Sequence, residues 1–448
     1  MDPIVIVGGD AAGMSAASKF KRERPEREVV VFERGEYVSY AACGMPYYVK
    51  GAVDSLDDLV TVTPEAFVEE RGIDLRLHHE VVELRPDKHE VVVEGPEGRL
   101  TQPYDQLLVA TGAHAVVPPF EGMDLDGVFT MHSLPEADAV RDYLAFEEPE
   151  TVGVVGGGYI GIEMAEAFRE HDVEVHVFEM LPHVMAPFGE TVAEAVEEEL
   201  RRQGVHLHLD TAVERFVGDD SVTGIDVGGA VYDVELALVG VGVAPNTDLA
   251  ASAGIELGET GAVATDEYGR TSRSGVFAAG DVAEARHAVT GEPDHVPLAL
   301  TANRAGRAIG QTMAGDETPV GEIAGTAVVK AFDLTAARTG VIDEEQARGA
   351  GFDPVSVTIT ASSRAHYYPG AEELTITMLG DRVSGRVLGA TMVGREGVAK
   401  RIDTVAVALH EGATAEELSY YDLAYAPPFS PVWDPVLTAA KVLDGKLG

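Results

Sequence analysis

Cysteine is nearly absent: Cys43 is the one thiol among 448 residues. A lone thiol cannot close an intramolecular disulfide or supply a thiolate cluster for zinc or iron–sulfur, and it argues against a disulfide-stapled secreted protein. Positive charge is scarce as well, with 33 Lys and Arg against 76 Asp and Glu and a formal net charge of −43. Such a field repels phosphate backbones and anionic membrane surfaces, so neither nucleic acid nor membrane is an expected partner. Lysine is the rarer cation, 8 against 25 Arg, and the acids are spread without long blocks. That is the surface of a protein kept soluble in concentrated salt, and a halophilic host is the expectation. Long apolar runs are missing: no window reaches the roughly 18 residues that a membrane span needs. Met1 leads directly into Ile4-Val5-Ile6-Val7-Gly8 with no charged-then-apolar leader, so a soluble, cytoplasmic chain is expected.

What is present is a repeated pattern. Pro3 to Val7 reads as a strand, followed by Gly8-Gly9-Asp10-Ala11-Ala12-Gly13, a helical stretch to about Arg24, and a second strand ending at Glu33. The pattern returns as Thr151 to Val155, Gly156-Gly157-Gly158-Tyr159-Ile160-Gly161, a helix to about His171, and a strand ending at Glu179. In each, glycines permit a tight turn and close backbone approach to a pyrophosphate. The helix start offers free N–H groups, and the acid accepts from ribose hydroxyls. Two dinucleotide sites on one α/β chain follow. Asp10 departs from the first pattern, standing where the middle glycine belongs. Glu179 favours NADH over NADPH, because a carboxylate repels a 2′-phosphate and Met180-Leu181-Pro182 supplies no adjacent arginine. Two apolar strands ending in glycine, Tyr104 to Gly112 and Thr271 to Asp281, complete the pattern. From about Gly325 the tail reads as a separate α+β unit, with strands over 325–330, 352–361, 374–379 and 386–393 and a helix over 398–409.

With these residues the chain resembles the two-dinucleotide-fold flavoprotein disulfide reductases over essentially its whole length. Ser39-Tyr40-Ala41-Ala42-Cys43-Gly44-Met45-Pro46-Tyr47-Tyr48 is similar to the single-cysteine motif of the coenzyme A-disulfide reductases and their relatives, the NADH oxidases and peroxidases. The dithiol reductases need a second cysteine, which this sequence does not contain. The resemblance implies two Rossmann-like domains and a C-terminal dimerisation domain. The division is FAD-binding over 1–114 and 248–324, NAD(P)H-binding over 115–247, and dimerisation over 325–448. It implies that Gly8 to Gly13, Glu33, Thr111, Gly112 and Asp281 hold FAD. Gly156 to Gly161 and Glu179 hold NADH, with NADPH possible. Arg34, Val81, Val82, Gly242 and Gly280 join the cofactor-binding set. A homodimer is implied, in which the tail completes the partner's active site.

Cys43, expected at a helix start, would have its pKa lowered by the helix dipole. A single sulfur must borrow the substrate's second one. Reducing equivalents from NADH, by way of FAD, would cleave a Cys43–substrate mixed disulfide, and the freed thiolate would attack the next disulfide. Tyr425, where two-cysteine relatives carry a base, and Tyr367, with Tyr368 as a near-equal alternative, are the candidate proton donors. Coenzyme A is a polyanion, so the surface needs a local exception. Ser15, Lys19 and Arg22 lie about a turn apart on the first helix, and Ser39, Arg71 and Asn303 join them by resemblance. The remaining histidines, including His78, His79, His206 and His208, read as strand-face or surface residues, and no metal site is expected. The alternatives are an NADH oxidase or peroxidase working through a Cys43 sulfenic acid, polysulfide or persulfide reduction, and a non-catalytic redox sensor or electron-transfer flavoprotein. The first loop, Asp10-Ala11-Ala12, lacks the histidine that oxidases and peroxidases usually place beside the flavin.

Overall fold

A computed structural model describes residues 1–448. Ile4–Val7 is a run of apolar residues, all buried, and such a run is satisfied at the centre of a parallel sheet covered on both faces. It forms the middle of a five-stranded parallel sheet in the order 276–278, 106–109, 4–7, 29–32, 74–76. A second parallel sheet repeats the plan around Thr151–Val155, in the order 206–208, 174–178, 151–155, 236–239, 128–130. In both, strand order reverses beside the first strand, and the crevice at that reversal is where α/β sheets bind ligands. Each sheet carries a three-stranded antiparallel meander, over 80–103 and 215–233 respectively. The two units are joined where Ala113–Ala115 pairs antiparallel with Val243–Pro245.

The tail is a five-stranded antiparallel sheet in the order 327–331, 334–340, 387–394, 373–381, 354–362. Helices Val398–His410 and Pro435–Leu447 pack against it. It holds more than the sequence led us to expect: strand Leu334–Gly340 and helices Glu344–Gly349, Ala415–Ser419 and Pro435–Leu447 are additional. The strand, LTAARTG, is made of small and polar residues whose burial comes from its neighbours. The last helix starts at Asp434, whose carboxylate accepts from Val436 N at 2.9 Å, with Pro435 in the first turn. No helix is long and apolar enough to cross a membrane.

One carboxylate ties the three regions together. Buried Glu166, on helix Tyr159–Arg169, accepts from Lys50 Nζ at 2.6 Å, Lys330 Nζ at 3.2 Å and Phe332 N at 2.6 Å. The second sheet carries His206 and His208 on an edge strand, the strand-face position expected of them. Its parallel register sets His176 opposite His206, because side chains in register on adjacent strands share a face.

Candidate active site

Both glycine loops are built by backbone approach that a side chain would block. Gly8 and Gly156 have φ of +109° and +107°. A Cβ on Gly13 would stand 2.0 Å from the Gly8 carbonyl oxygen, and one on Gly161 2.0 Å from that of Gly156. These contacts seat helices Ala11–Glu23 and Tyr159–Arg169 over the ends of their sheets, N-termini toward the crevice. The acids ending the second strands behave alike. Glu33 Oε2 accepts from Gly9 N at 2.8 Å and Glu179 Oε2 from Gly157 N at 2.7 Å, while their second oxygens accept from Gly35 N and Leu181 N.

Asp10 is explained by where its side chain goes. It makes no helix cap and reaches sideways to accept from Tyr40 N at 3.2 Å. Burial first, then repulsion from Glu33 and Asp281 against the Tyr40 hydrogen bond, pushes its pKa up to about 6. The carboxyl therefore takes up a proton readily when another anion arrives. Asp281 is also raised by burial, with His295 and His132 pulling it back. No group of the chain donates to its carboxylate, which is free to accept from ligand hydroxyls. Gly280, φ +80°, packs against Ala12, and Gly242, φ +119°, has open space where a Cβ would stand.

Other residues assigned by resemblance are placed less directly. The Thr111 hydroxyl donates to Asn246 O, and Asn246 Nδ2 donates back to Thr111 O, so this side chain is committed to the crossover beside Gly112. Val81 is buried, Val82 is exposed at a bulge in strand Glu80–Arg85, and Arg34 is exposed. Tyr159 rests edge-on against Phe188 with centroids 5.5 Å apart, beside half-buried Ile160 and open Gly158.

Cys43 is exposed, in a 3₁₀ turn, Ala42–Gly44, that runs into helix Met45–Val49. The turn is held from outside by Ala41 N donating to Leu59 O and Thr61 N to Ser39 O. The expected depression of the thiol pKa does not hold. The helix is only five residues long, and the pKa is raised, by partial burial first and then by Glu163, Asp281 and Asp10, against a backbone hydrogen bond. Glu163, which the sequence reading missed, lies on helix Tyr159–Arg169. Burial and Glu166 push its own pKa up to about 7, against a hydrogen bond with Tyr47. Its signal was faint: a pair of acids, Glu163 and Glu166, in an otherwise mostly apolar helix.

The structure gathers five of the six substrate candidates. Ser15, Arg22, Ser39, Arg71 and Asn303 line one groove of about 910 Å³. Ser15 Oγ donates to Asn303 Oδ1 at 2.6 Å, and Arg71 Nη1 to Ser18 Oγ at 2.8 Å. The sixth is corrected: Lys19 does not line the groove, being buried and paired with Glu23 at 2.5 Å. Arg304 and Arg307 take its place. They reach the groove because Gly306 and Gly310 let helix Ala299–Met313 lie against the first helix, where a Cβ would stand 2.1 Å and 2.4 Å from Ala12 O and Ala16 O.

Tyr367 and Tyr425 are exposed on neighbouring loops joined by Ala365 N donating to Pro427 O at 3.3 Å, and Tyr368 stands beside Arg364. Neither tyrosine hydroxyl bonds to any group of its own chain.

Comparison with known proteins agrees with this geometry. Residues 2–306 match the family profile described as pyridine nucleotide-disulphide oxidoreductase, and residues 326–435 match the dimerisation domain of that family. A protein of Pyrococcus horikoshii named NAD(P)H coenzyme A polysulfide/persulfide reductase is 42% identical over 98% of each chain. The coenzyme A disulfide reductase of Staphylococcus aureus is 29% identical over 96% of this chain and 97% of its own. The solved NAD-dependent persulfide reductase from A. fulgidus superposes with a TM-score of 0.96 at 38% identity, covering 99% of this chain and 83% of that one. The chain belongs to the pyridine nucleotide-disulphide oxidoreductases. It is an FAD-dependent NAD(P)H oxidoreductase of the disulfide-reductase type, and its two glycine loops, the acids Glu33 and Glu179 that end the second strands, and the free Asp281 carboxylate fit both cofactors.

Proposed function

We propose that this enzyme reduces coenzyme A disulfide, or a related low-molecular-weight disulfide, through a Cys43 mixed disulfide. The observation that carries the reading is the groove. In a chain of net charge −43 it collects Arg22, Arg71, Arg304 and Arg307, and it runs to Ser39, four residues before the only thiol. That is where a polyanionic thiol carrier finds charge complementarity.

In this scheme Cys43 thiolate attacks one sulfur of the disulfide, forming a Cys43–substrate bond and releasing the first thiolate. The first glycine loop, Glu33 and Asp281 would hold FAD, which would supply a relay for the electron pair of NAD(P)H toward sulfur. Cleavage of the mixed disulfide returns Cys43 thiolate and frees the second thiolate. One disulfide, one NAD(P)H and one solvent proton give two thiols and NAD(P)⁺. Glu163, neutral or charged near pH 7, holds or yields a proton beside Cys43. Tyr425 and Tyr367 of the second subunit supply protons to the leaving thiolates.

Exposed Tyr367, Tyr425, Phe429, Val432 and Trp433 are apolar surface that a second copy would cover, which supports a homodimer. The chain divides at 114/115, 247/248 and 324/325. We place it in a cytoplasm rich in salt, with NADH as the preferred reductant through Glu179. A second reading, polysulfide or persulfide reduction with coenzyme A held in the groove, draws support from the names of the Pyrococcus horikoshii and A. fulgidus relatives. NADH oxidation measured side by side with coenzyme A disulfide, other small disulfides, polysulfide, peroxide and O₂ tests both. Preference for coenzyme A disulfide supports the first reading, preference for polysulfide the second, and preference for O₂ or peroxide overturns both.

A further inference from the structure

On the second parallel sheet, three side chains that the reaction does not use converge on one point. Glu174 and His176 share a face because strand side chains alternate with a period of two. His206, on the edge strand, lies in register with His176. Glu174 Oε1 stands 3.1 Å from His176 Nε2 and 3.3 Å from His206 Nε2, and the donor atoms of all three lie within 4.8 Å of one another.

We infer that Glu174, His176 and His206 form a binding site for a divalent transition-metal cation such as Zn²⁺ or Co²⁺. Imidazole and carboxylate ligands hold such ions at about 2.0–2.2 Å, and the 3.1 Å and 3.3 Å separations of the two imidazole nitrogens from Glu174 Oε1 suit pairs of such bonds. Two histidines and one carboxylate on one side leave the outer positions to water, as the exposure of Glu174 and His206 requires.

The surroundings are those of a built site. His176 Nδ1 lies 3.0 Å from His208 Nε2, so when Nε2 takes the metal in place of its contact with Glu174 the outer N–H of the central ligand has a partner to receive it. The His176 ring is stacked between His206 at 4.7 Å and His208 at 5.3 Å, and Phe178 and Tyr232 hold His208 from behind at 4.6 Å and 4.7 Å. The charge of −43 raises the local concentration of cations at any such point. A bound ion would clamp the three-residue edge strand His206–His208 to strand Glu174–Phe178.

The test uses the FAD-loaded protein, freed of metal by a chelating resin and titrated with Co²⁺ in KCl containing excess Mg²⁺ to occupy exposed carboxylates. The expected result is one Co²⁺ per chain with a visible ligand-field band, displaced by Zn²⁺. His206→Gln, at an exposed position, should abolish the band while flavin absorbance is unchanged. His208→Phe should weaken binding by about 10- to 100-fold, as loss of an outer partner does. Zn²⁺ should raise the thermal midpoint of the parent protein and not that of His206→Gln. Equal uptake by parent and His206→Gln, or no uptake by the parent below millimolar Co²⁺, overturns the proposal and leaves the cluster as a histidine–carboxylate ion pair.

Discussion

Arg401 and Asp434 form a buried ion pair, with Nε 2.9 Å from Oδ2, and the same guanidinium donates to the carbonyls of Ser363 at 2.7 Å and Phe429 at 3.3 Å. One side chain on helix Val398–His410 thereby fixes the two loops that carry Tyr367 and Tyr425. Arg401→Met leaves the Asp434 carboxylate without its counter-charge and two carbonyls without their donor, and removing one partner of such a pair costs about 3 kcal/mol. The expected outcome is a lower thermal midpoint and slower disulfide turnover, with reduction of bound FAD by NADH unchanged in stopped flow. An unchanged midpoint would show that the pair does not set the loops.

Cys43→Ser should abolish disulfide turnover and retain FAD. Glu163→Gln should do the reverse to the thiol. Glu163 is the largest repulsive charge on Cys43 after the effect of burial, so removing it lowers the thiol pKa and raises the thiolate fraction at a given pH. Alkylation by iodoacetamide should quicken at pH 8, where Glu163, with a pKa near 7, is charged in the parent. At pH 6, where it is largely neutral, the difference should shrink. Equal rates at pH 8 would remove Glu163 from the electrostatics of the thiol.

Tyr425→Phe and Tyr367→Phe are expected to slow thiol release while FAD content and KM for NADH stay constant. Turnover of both variants equal to the parent's would exclude the tyrosines as proton donors.

Glu179 should confer a preference for NADH measured as the ratio of kcat/KM values. Glu179→Ala should narrow that ratio by weakening NADH and relieving the repulsion of a 2′-phosphate. A parent enzyme that already prefers NADPH would contradict this assignment.

Acid stability should depend on Glu199. Burial opposes its charge, but hydrogen bonds from Arg202, Gln203 and Arg395 prevail and lower its pKa from 4.5 to about 2. A folded-state pKa below the unfolded one gives stability that is present above about pH 4.5 and lost as pH falls through about 2. The contribution is about 2–3 kcal/mol, since Arg202 is half exposed and screening discounts the pair. Urea unfolding of parent and Glu199→Gln at pH 7 and pH 3 should show the variant's deficit shrinking with acid. A constant deficit would assign Glu199 a packing role.

Much of this site was legible because it is local. Gly13 and Gly161 are demanded by backbone contacts within their own loops, Gly8 and Gly156 by the positive φ of those turns, and Glu33 and Glu179 follow at a fixed distance along the same unit. Cys43 needed no structure to be singled out. What escaped the sequence was set by packing between distant segments. Lys19 has the spacing of a groove residue, yet Glu23 one turn along draws it away, while Arg304 and Arg307 enter from a helix almost 300 residues later. The raised pKa of Cys43 comes from its partial burial first and then from Glu163, which lies on the other dinucleotide unit. His176 and His206 meet only through the register of two strands that are 30 residues apart.

The shared carboxylate of Glu166 has a consequence for how the enzyme can move. Swinging the second dinucleotide unit away from either neighbour would pull a buried anion off Lys50, or off Lys330 and the Phe332 amide, and leave it in a poorly hydrated seam. Such an excursion costs several kcal/mol, so it is rarely visited. Nucleotide entry and exit are therefore expected to rely on side chains and loop tips at the crevice mouth, with the three regions held together by Glu166.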